Sequence, residues 1–147
     1  MVRAASLLTT LLALTGCAPG DAELPTACLA DAGAIRSALA AAPGPVRLEG
    51  DVPLSACLGR TAGPAEVQNV GAVYLEVATD LASVGRQQSD APEVVQLAYL
   101  VGAVERGAEG AGGIYDELER RLQLELSRVA RDSRTYREGL EAGRTGG

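Results

Sequence analysis

Three cysteines, Cys17, Cys28 and Cys57, are the side chains best equipped for chemistry in this 147-residue chain. A thiol can form a disulfide, hold a metal or carry a covalent group, and its surroundings decide which. The chain contains no histidine, and all 13 of its basic residues are arginines. A metal site is therefore weakly supported, because no imidazole and no closely spaced second cysteine is present to complete a ligand set. Serine-based hydrolysis is equally hard to build. Ser37, Ser55, Ser83 and Ser89 have neither a histidine nor a lysine to take a proton, and guanidinium groups do not give theirs up at physiological pH.

Asp116, Glu117 and Glu119 invite a general acid/base reading, but their spacing favours another one. Asp116–Arg120, Glu117–Arg121, Arg134–Glu138 and Arg137–Glu141 are all opposite charges four residues apart, the spacing of a solvated helix face. Acids in a first turn also complement the helix dipole. The run Gly107 to Gly113 is not a phosphate cradle, because it follows a helix, lacks a GK[ST] ending and opens onto acids. Tyr74, Tyr99, Tyr115 and Tyr136 would line a ligand cavity only if the fold gathered them, and helical tyrosines more often pack the ring and leave the hydroxyl to water. No catalytic residue, metal ligand or cofactor site is assigned.

The charge balance narrows the partners. A net charge of −6, or −7 without Arg3, repels nucleic acid and anionic lipid headgroups alike. The core must come from Leu, Val and Ala, with two Ile, since Phe and Trp are absent and Met1 is the only methionine. Arginine without lysine, in an Ala- and Gly-rich chain, matches the residue usage of a high-GC bacterial genome.

Residues 1–16 read as a signal peptide. Arg3 precedes an apolar run from Ala4 to Leu14 that would span about 17 Å as a helix, roughly half of a ~30 Å hydrocarbon core. Leu14-Thr15-Gly16-Cys17 closes the run and resembles the lipobox of bacterial lipoproteins. The resemblance covers residues 1–17 only. It implies a diacylglyceryl group on the Cys17 thiol, cleavage before Cys17 and acylation, with palmitate for example, of the new amino terminus. Two acyl chains are what stable attachment to a membrane requires. With Cys17 given to lipid, Cys28 and Cys57 remain as an even pair in an exported chain, which argues for a disulfide.

The elements follow from periodicity. Residues 17–25 read as a lipid-anchored tether and 26–147 as one helical domain. Thr26 is expected to cap a first, short helix with Cys28, Ala32, Ile35 and Leu39 on one face, ended by Ala42-Pro43-Gly44-Pro45. Residues 46–60 are irregular: Val46 and Leu48 alternate like a strand, Gly50-Asp51 suggests a turn, and Leu54–Leu58 is long enough for one helical turn. Little in this segment besides the disulfide is expected to hold it, so reduction should loosen residues 26–60 first. Pro64 starts a second helix running to about Gln87, with Gly71, Ala78 and Gly85 as a ridge of small residues beside its stripe. Ser89-Asp90-Ala91-Pro92-Glu93 reads as a helix start, with a cap, a proline near the first position and an early acid, and the third helix it opens reaches about Gly107 and is apolar nearly all round. A final helix is expected from Ile114 to Leu140, with Leu118, Leu122, Leu126, Val129, Tyr136 and Leu140 as its stripe.

The sequence thus predicts an all-α, up-and-down bundle of about four helices, with a disulfide-tied segment between the first two. The expected function is that of an exported, non-enzymatic lipoprotein at the outer face of a bacterial membrane, or facing the periplasm, that binds another envelope component. The alternative is a carrier that holds a small apolar ligand among its helices.

Overall fold

The computed structural model describes residues 24–59, 63–127, 129 and 133–147. The expected signal segment and Cys17 lie outside these residues. Five α-helices are formed: α1 (Ala32–Leu39), α2 (Pro64–Gly85), α3 (Pro92–Gly107), α4 (Ile114–Ser127) and α5 (Arg134–Gly146). Short 3-10 turns occupy Thr26–Leu29, Glu49–Asp51 and Leu54–Leu58. The described residues form no strand; Leu48 and Val52 make one isolated antiparallel bridge.

The helix starts obey local chemistry. Pro64 and Pro92 sit in the first turns of α2 and α3, where a missing N–H costs nothing. The Gly63 N–H donates to the Glu66 carboxylate at 2.7 Å. Two expected caps are corrected. Thr26 caps no long helix, because the chain turns extended at Ala30 and Asp31, and it is the Asp31 carboxylate that accepts the Ala34 N–H at 2.8 Å. Ser89 is likewise bypassed, and α3 begins after Ala91 without a side-chain cap.

The expected final helix is two helices. α4 ends at Ser127, and α5 starts behind Ser133, whose hydroxyl oxygen accepts the Tyr136 N–H at 3.1 Å. The physical signal is a gap in the apolar stripe between Val129 and Tyr136, with a good capping residue inside it.

α3 is the centre of the molecule. Ten of its sixteen residues are buried, and it packs against α2, α4, α5 and the Leu54–Leu58 turn. α5 lies along it at backbone range: Gly139 faces Val95 and Ala98, and Gly143 faces Tyr99 and Ala103. Positions on the two helices advance together, so α3 and α5 run parallel. α2 and α4 are parallel by the same test, since Gly71 meets Leu118 and Gly85 meets Val129. With short links between successive helices, α2 to α5 make the up-down-up-down array, and α1 packs beside α2.

The irregular segment is better held than its composition suggests. Val46, Leu48, Leu54, Cys57 and Leu58 are all buried. Gly50 and Asp51 both adopt positive φ, 72° and 63°, reversing the chain so that the Leu48 N–H reaches the Val52 carbonyl at 2.8 Å. The Tyr74 hydroxyl donates to the Leu54 carbonyl at 2.9 Å, and the Tyr99 hydroxyl accepts the Val46 N–H at 3.3 Å. Two core tyrosines thus fasten the segment to α2 and α3.

A Cβ at position 143 would run into the backbone of Tyr99 and come within 3.0 Å of the Ala103 nitrogen. Gly143→Ala should therefore cost on the order of 1–3 kcal/mol in urea unfolding, despite the better helix propensity of alanine. Gly112→Ala meets only the Asp116 carboxylate at 3.8 Å and should change stability by less than about 0.5 kcal/mol. Equal unfolding midpoints for the two variants would show that the α3–α5 contact is looser than described.

Candidate functional site

The disulfide is formed. Cys28 and Cys57 are bonded across 29 positions with their Cα atoms 5.2 Å apart, and both are buried. The bond joins the Thr26–Leu29 turn to the Leu54–Leu58 turn, which in turn packs on α3. It is a structural tie, closed off from solvent by the burial of both residues.

The other candidate side chains disperse. Tyr74 and Tyr99 lie in the core with their hydroxyls on backbone groups, while Tyr115 and Tyr136 are half-buried at its edge. Burial raises the Tyr74 phenol well above its ordinary value, so it stays a neutral donor. Ser55 donates to the Gly147 carbonyl at 2.5 Å and Ser83 to the Asp80 carbonyl at 2.7 Å. Among the described residues, no group of three or more acidic or cysteine side chains is placed to hold a metal ion.

On α4 the carboxylates take separate structural duties. Asp116 accepts the Gly113 N–H at 3.1 Å and so serves the helix start. Glu117 forks between Arg121 at 2.6 Å and Arg120 at 2.8 Å, and those hydrogen bonds hold its carboxyl below the usual range. Arg120 thus pairs three residues back with Glu117, where the sequence suggested Asp116.

Glu119 belongs to a different group. Gln123 donates to it at 3.0 Å and reaches towards Glu105 of α3, which accepts from Arg144 of α5 at 2.6 Å. Desolvation raises the Glu119 pKa first, and the charges of Glu105 and Asp116 add to the rise. The hydrogen bond that Arg144 donates to Glu105 raises the Arg144 pKa as well, which for a guanidinium favours the charged form. This network links α3, α4 and α5 at one edge; sequence inspection gives no sign of it, because its members come from three separate segments.

Two surface grooves remain as places where something could bind. The first, of about 440 Å3, lies between α2 and α4 and is open on one side. Val67, Gly71, Leu75, Ile114 and Leu118 form its apolar floor, and Gln68, Glu117 and Arg121 its polar rim. Gly71 lets Leu118 of α4 come within 3.3 Å of where a Cβ would stand, and Ala72 beside it adds only a methyl group to the lining. The second, of about 540 Å3, runs along the Thr26–Leu29 turn and α1 to Leu48 and Glu49. No tyrosine lines either groove, so the four rings do not share a cavity.

Two measurements test this description. Reduction should now loosen residues 24–31 first, because Leu24 and Cys28 are their main buried attachments, while the tyrosine hydrogen bonds keep 46–59 in place. Hydrogen exchange with and without reductant reads this directly, and equal loosening of both segments would contradict it. The second concerns Glu119. A carboxyl with a raised folded-state pKa destabilises the fold when ionised, and that penalty disappears as pH falls through its folded pKa. Glu119→Gln should therefore raise stability at pH 7 and give no gain below the ordinary carboxylate range. A gain that persists unchanged in acid would point to packing instead of charge.

The chain matches no protein family, no curated protein and no solved structure in comparisons of sequence and fold.

Proposed function

We propose that this chain is an exported lipoprotein, held through Cys17 at the outer face of a bacterial cell membrane or facing the periplasm. Its helical domain acts there as a non-enzymatic binding module. One observation carries the anchoring: Leu14-Thr15-Gly16-Cys17 stands where an eleven-residue apolar run, too short to span a bilayer, comes to its end. No described helix is long and apolar enough to cross a membrane, so a covalent lipid is the attachment this reading invokes.

The binding half of the proposal rests on the α2–α4 groove. An apolar floor inside a polar rim is the arrangement of a small protein-docking site, where buried side chains supply affinity and the rim supplies orientation. The groove suits one or two apolar side chains of another envelope protein. A carrier of a small apolar ligand is less well supported, because such a ligand would lie half in water in a groove open on one side. The lack of histidine and lysine supports the non-enzymatic reading, since the usual proton-transfer groups at neutral pH are missing.

Both halves can be tested in the exporting cell. Cys17→Ser should move the protein from the detergent phase to the aqueous phase and remove the mass of the lipid. An unmodified Cys17 in wild-type protein would refute anchoring. Ala72 is exposed at the groove, so Ala72→Glu should leave the circular dichroism spectrum unchanged. It should also lower the yield of a specific crosslink from Gln68 to its partner by about tenfold, the effect of one buried charge left unpaired. A crosslink that survives Ala72→Glu at full yield would remove the groove from the binding surface.

A further inference from the structure

The length of chain between the proposed anchor and the folded domain determines what the second groove faces. Cys17 and Leu24 are separated by seven peptide steps, which cover at most ~25 Å in any conformation. Leu24 is buried in the core, so the chain from Cys17 joins the fold no later than there. The next residues form the Thr26–Leu29 turn, and Leu29 is 66% exposed, more than any other large apolar side chain described. Leu29 walls the 540 Å3 groove, together with Ala27, Ala30, Ala34 and Leu48. The most exposed apolar side chain and an apolar groove therefore sit at the corner where the tether enters.

The charges of this corner exclude an electrostatic role. Asp31 caps α1, Arg36 pairs with Asp80 at 3.1 Å, and Arg47 pairs with Asp51 at 3.5 Å, leaving Glu49 exposed. No cationic excess is available to attract anionic headgroups. What the corner offers a membrane is apolar surface.

The geometry points to the Thr26–Leu29 turn and the groove beside it as a membrane-contact face, with Leu29 dipping into the interfacial region of a zwitterionic bilayer. The inference rests on the reading that Cys17 carries lipid. One leucine and a shallow alanine-lined groove would not hold a free domain on a bilayer. On a tether of ~25 Å the same contact becomes intramolecular, at an effective concentration near the millimolar range, and orients the domain. The α2–α4 groove then points elsewhere.

The chain contains no tryptophan, so a single introduced one reports its own surroundings. The chain from Cys17 onward, with the disulfide oxidised, is coupled through the Cys17 thiol to a maleimide lipid in phosphatidylcholine vesicles. Leu29→Trp should emit to the blue of its untethered form and be quenched several-fold more by brominated acyl chains than Leu124→Trp. Leu124 is the control because it is the other exposed large apolar residue described, on α4. Equal quenching at both positions, or none at 29, would overturn the proposal. Should Leu29→Trp disturb the turn, hydrogen exchange on the unsubstituted chain decides: tethering should slow residues 26–38 by roughly tenfold, the population shift from burying one leucine, and an unchanged rate overturns the contact. Because the lipid is supplied chemically, a negative result speaks against the membrane face alone. An unmodified Cys17 in exported protein speaks against the anchor alone.

Discussion

The backbone contact between α3 and α5 is the constraint on which the rest of the fold depends. A domain without Phe or Trp cannot fill gaps between helices with large rings. It must bring helix axes close, and Gly102, Gly139 and Gly143 allow that along one seam. Each contact made there is worth only ~0.1–0.2 kcal/mol in dispersion, so the seam works through number and proximity. The cost is also visible. Glycines in a helix interior weaken it by about 1 kcal/mol apiece relative to alanine. An α5 carrying Gly139, Gly143 and Gly146 would be a poor helix alone, and its conformation is imposed by α3.

That dependence explains the polar contacts gathered at the end of α5. Arg106 donates to the Thr145 carbonyl, Arg47 to the Gly146 carbonyl at 2.7 Å, and Ser55 to the Gly147 carbonyl at 2.5 Å. Carbonyls that a helix end leaves without intrahelical partners are met by three donors from α3 and the 46–59 segment, two of them cations suited to the negative end of the dipole. The same contacts hold the irregular segment, since Arg47 and Ser55 belong to it. α5, α3 and residues 46–59 therefore stabilise one another, and the disulfide adds the Thr26–Leu29 turn to this unit.

What could be read from the sequence was whatever depends on one segment at a time. Pro64 and Pro92 mark helix starts, the all-round apolar pattern of residues 94–104 identifies the central helix, and the even pair left once Cys17 is set aside points to the bond between Cys28 and Cys57. Errors arose where local signals compete. Thr26 and Asp31 are both good caps, and only the buried position of Cys28 within a separate turn decides between them. The stripe from Leu118 to Leu140 looks continuous until the break before Ser133 is weighed against it. The glycine seam is visible as a four-residue spacing of Gly139, Gly143 and Gly147, yet spacing alone does not say which helix it meets. The ridge on α2 is as plain in the sequence, yet its Gly71 lies beneath a leucine of α4 and lines a groove. That groove could not be read at all, because it needs the crossing of two helices 40 to 50 residues apart in sequence.

The placement of the two grooves, which share no lining residue, gives the proposed anchored domain a consistent layout. α1 touches α2 near Asp80, through the Arg36 ion pair, whereas the α2–α4 groove is built around Val67 to Leu75. Ala72 and Asp80 are eight residues apart, about 12 Å along the helix axis. The corner that receives the tether is lined by no residue of α2 and meets that helix only through α1 and the Thr26–Leu29 turn, whereas the other groove is built on α2 itself. Attachment through Cys17 at the first, as proposed, would leave the second uncovered, because the stripe of Val67, Val70, Tyr74, Val77 and Leu81 holds α2 straight in the core. A flexible link between the two would let the domain tumble and present any face. One continuous core, which includes Ile35 and Leu39 of α1 with Val67 and Val70 of α2, would fix the direction in which the groove looks if the Leu29 corner rested on a membrane.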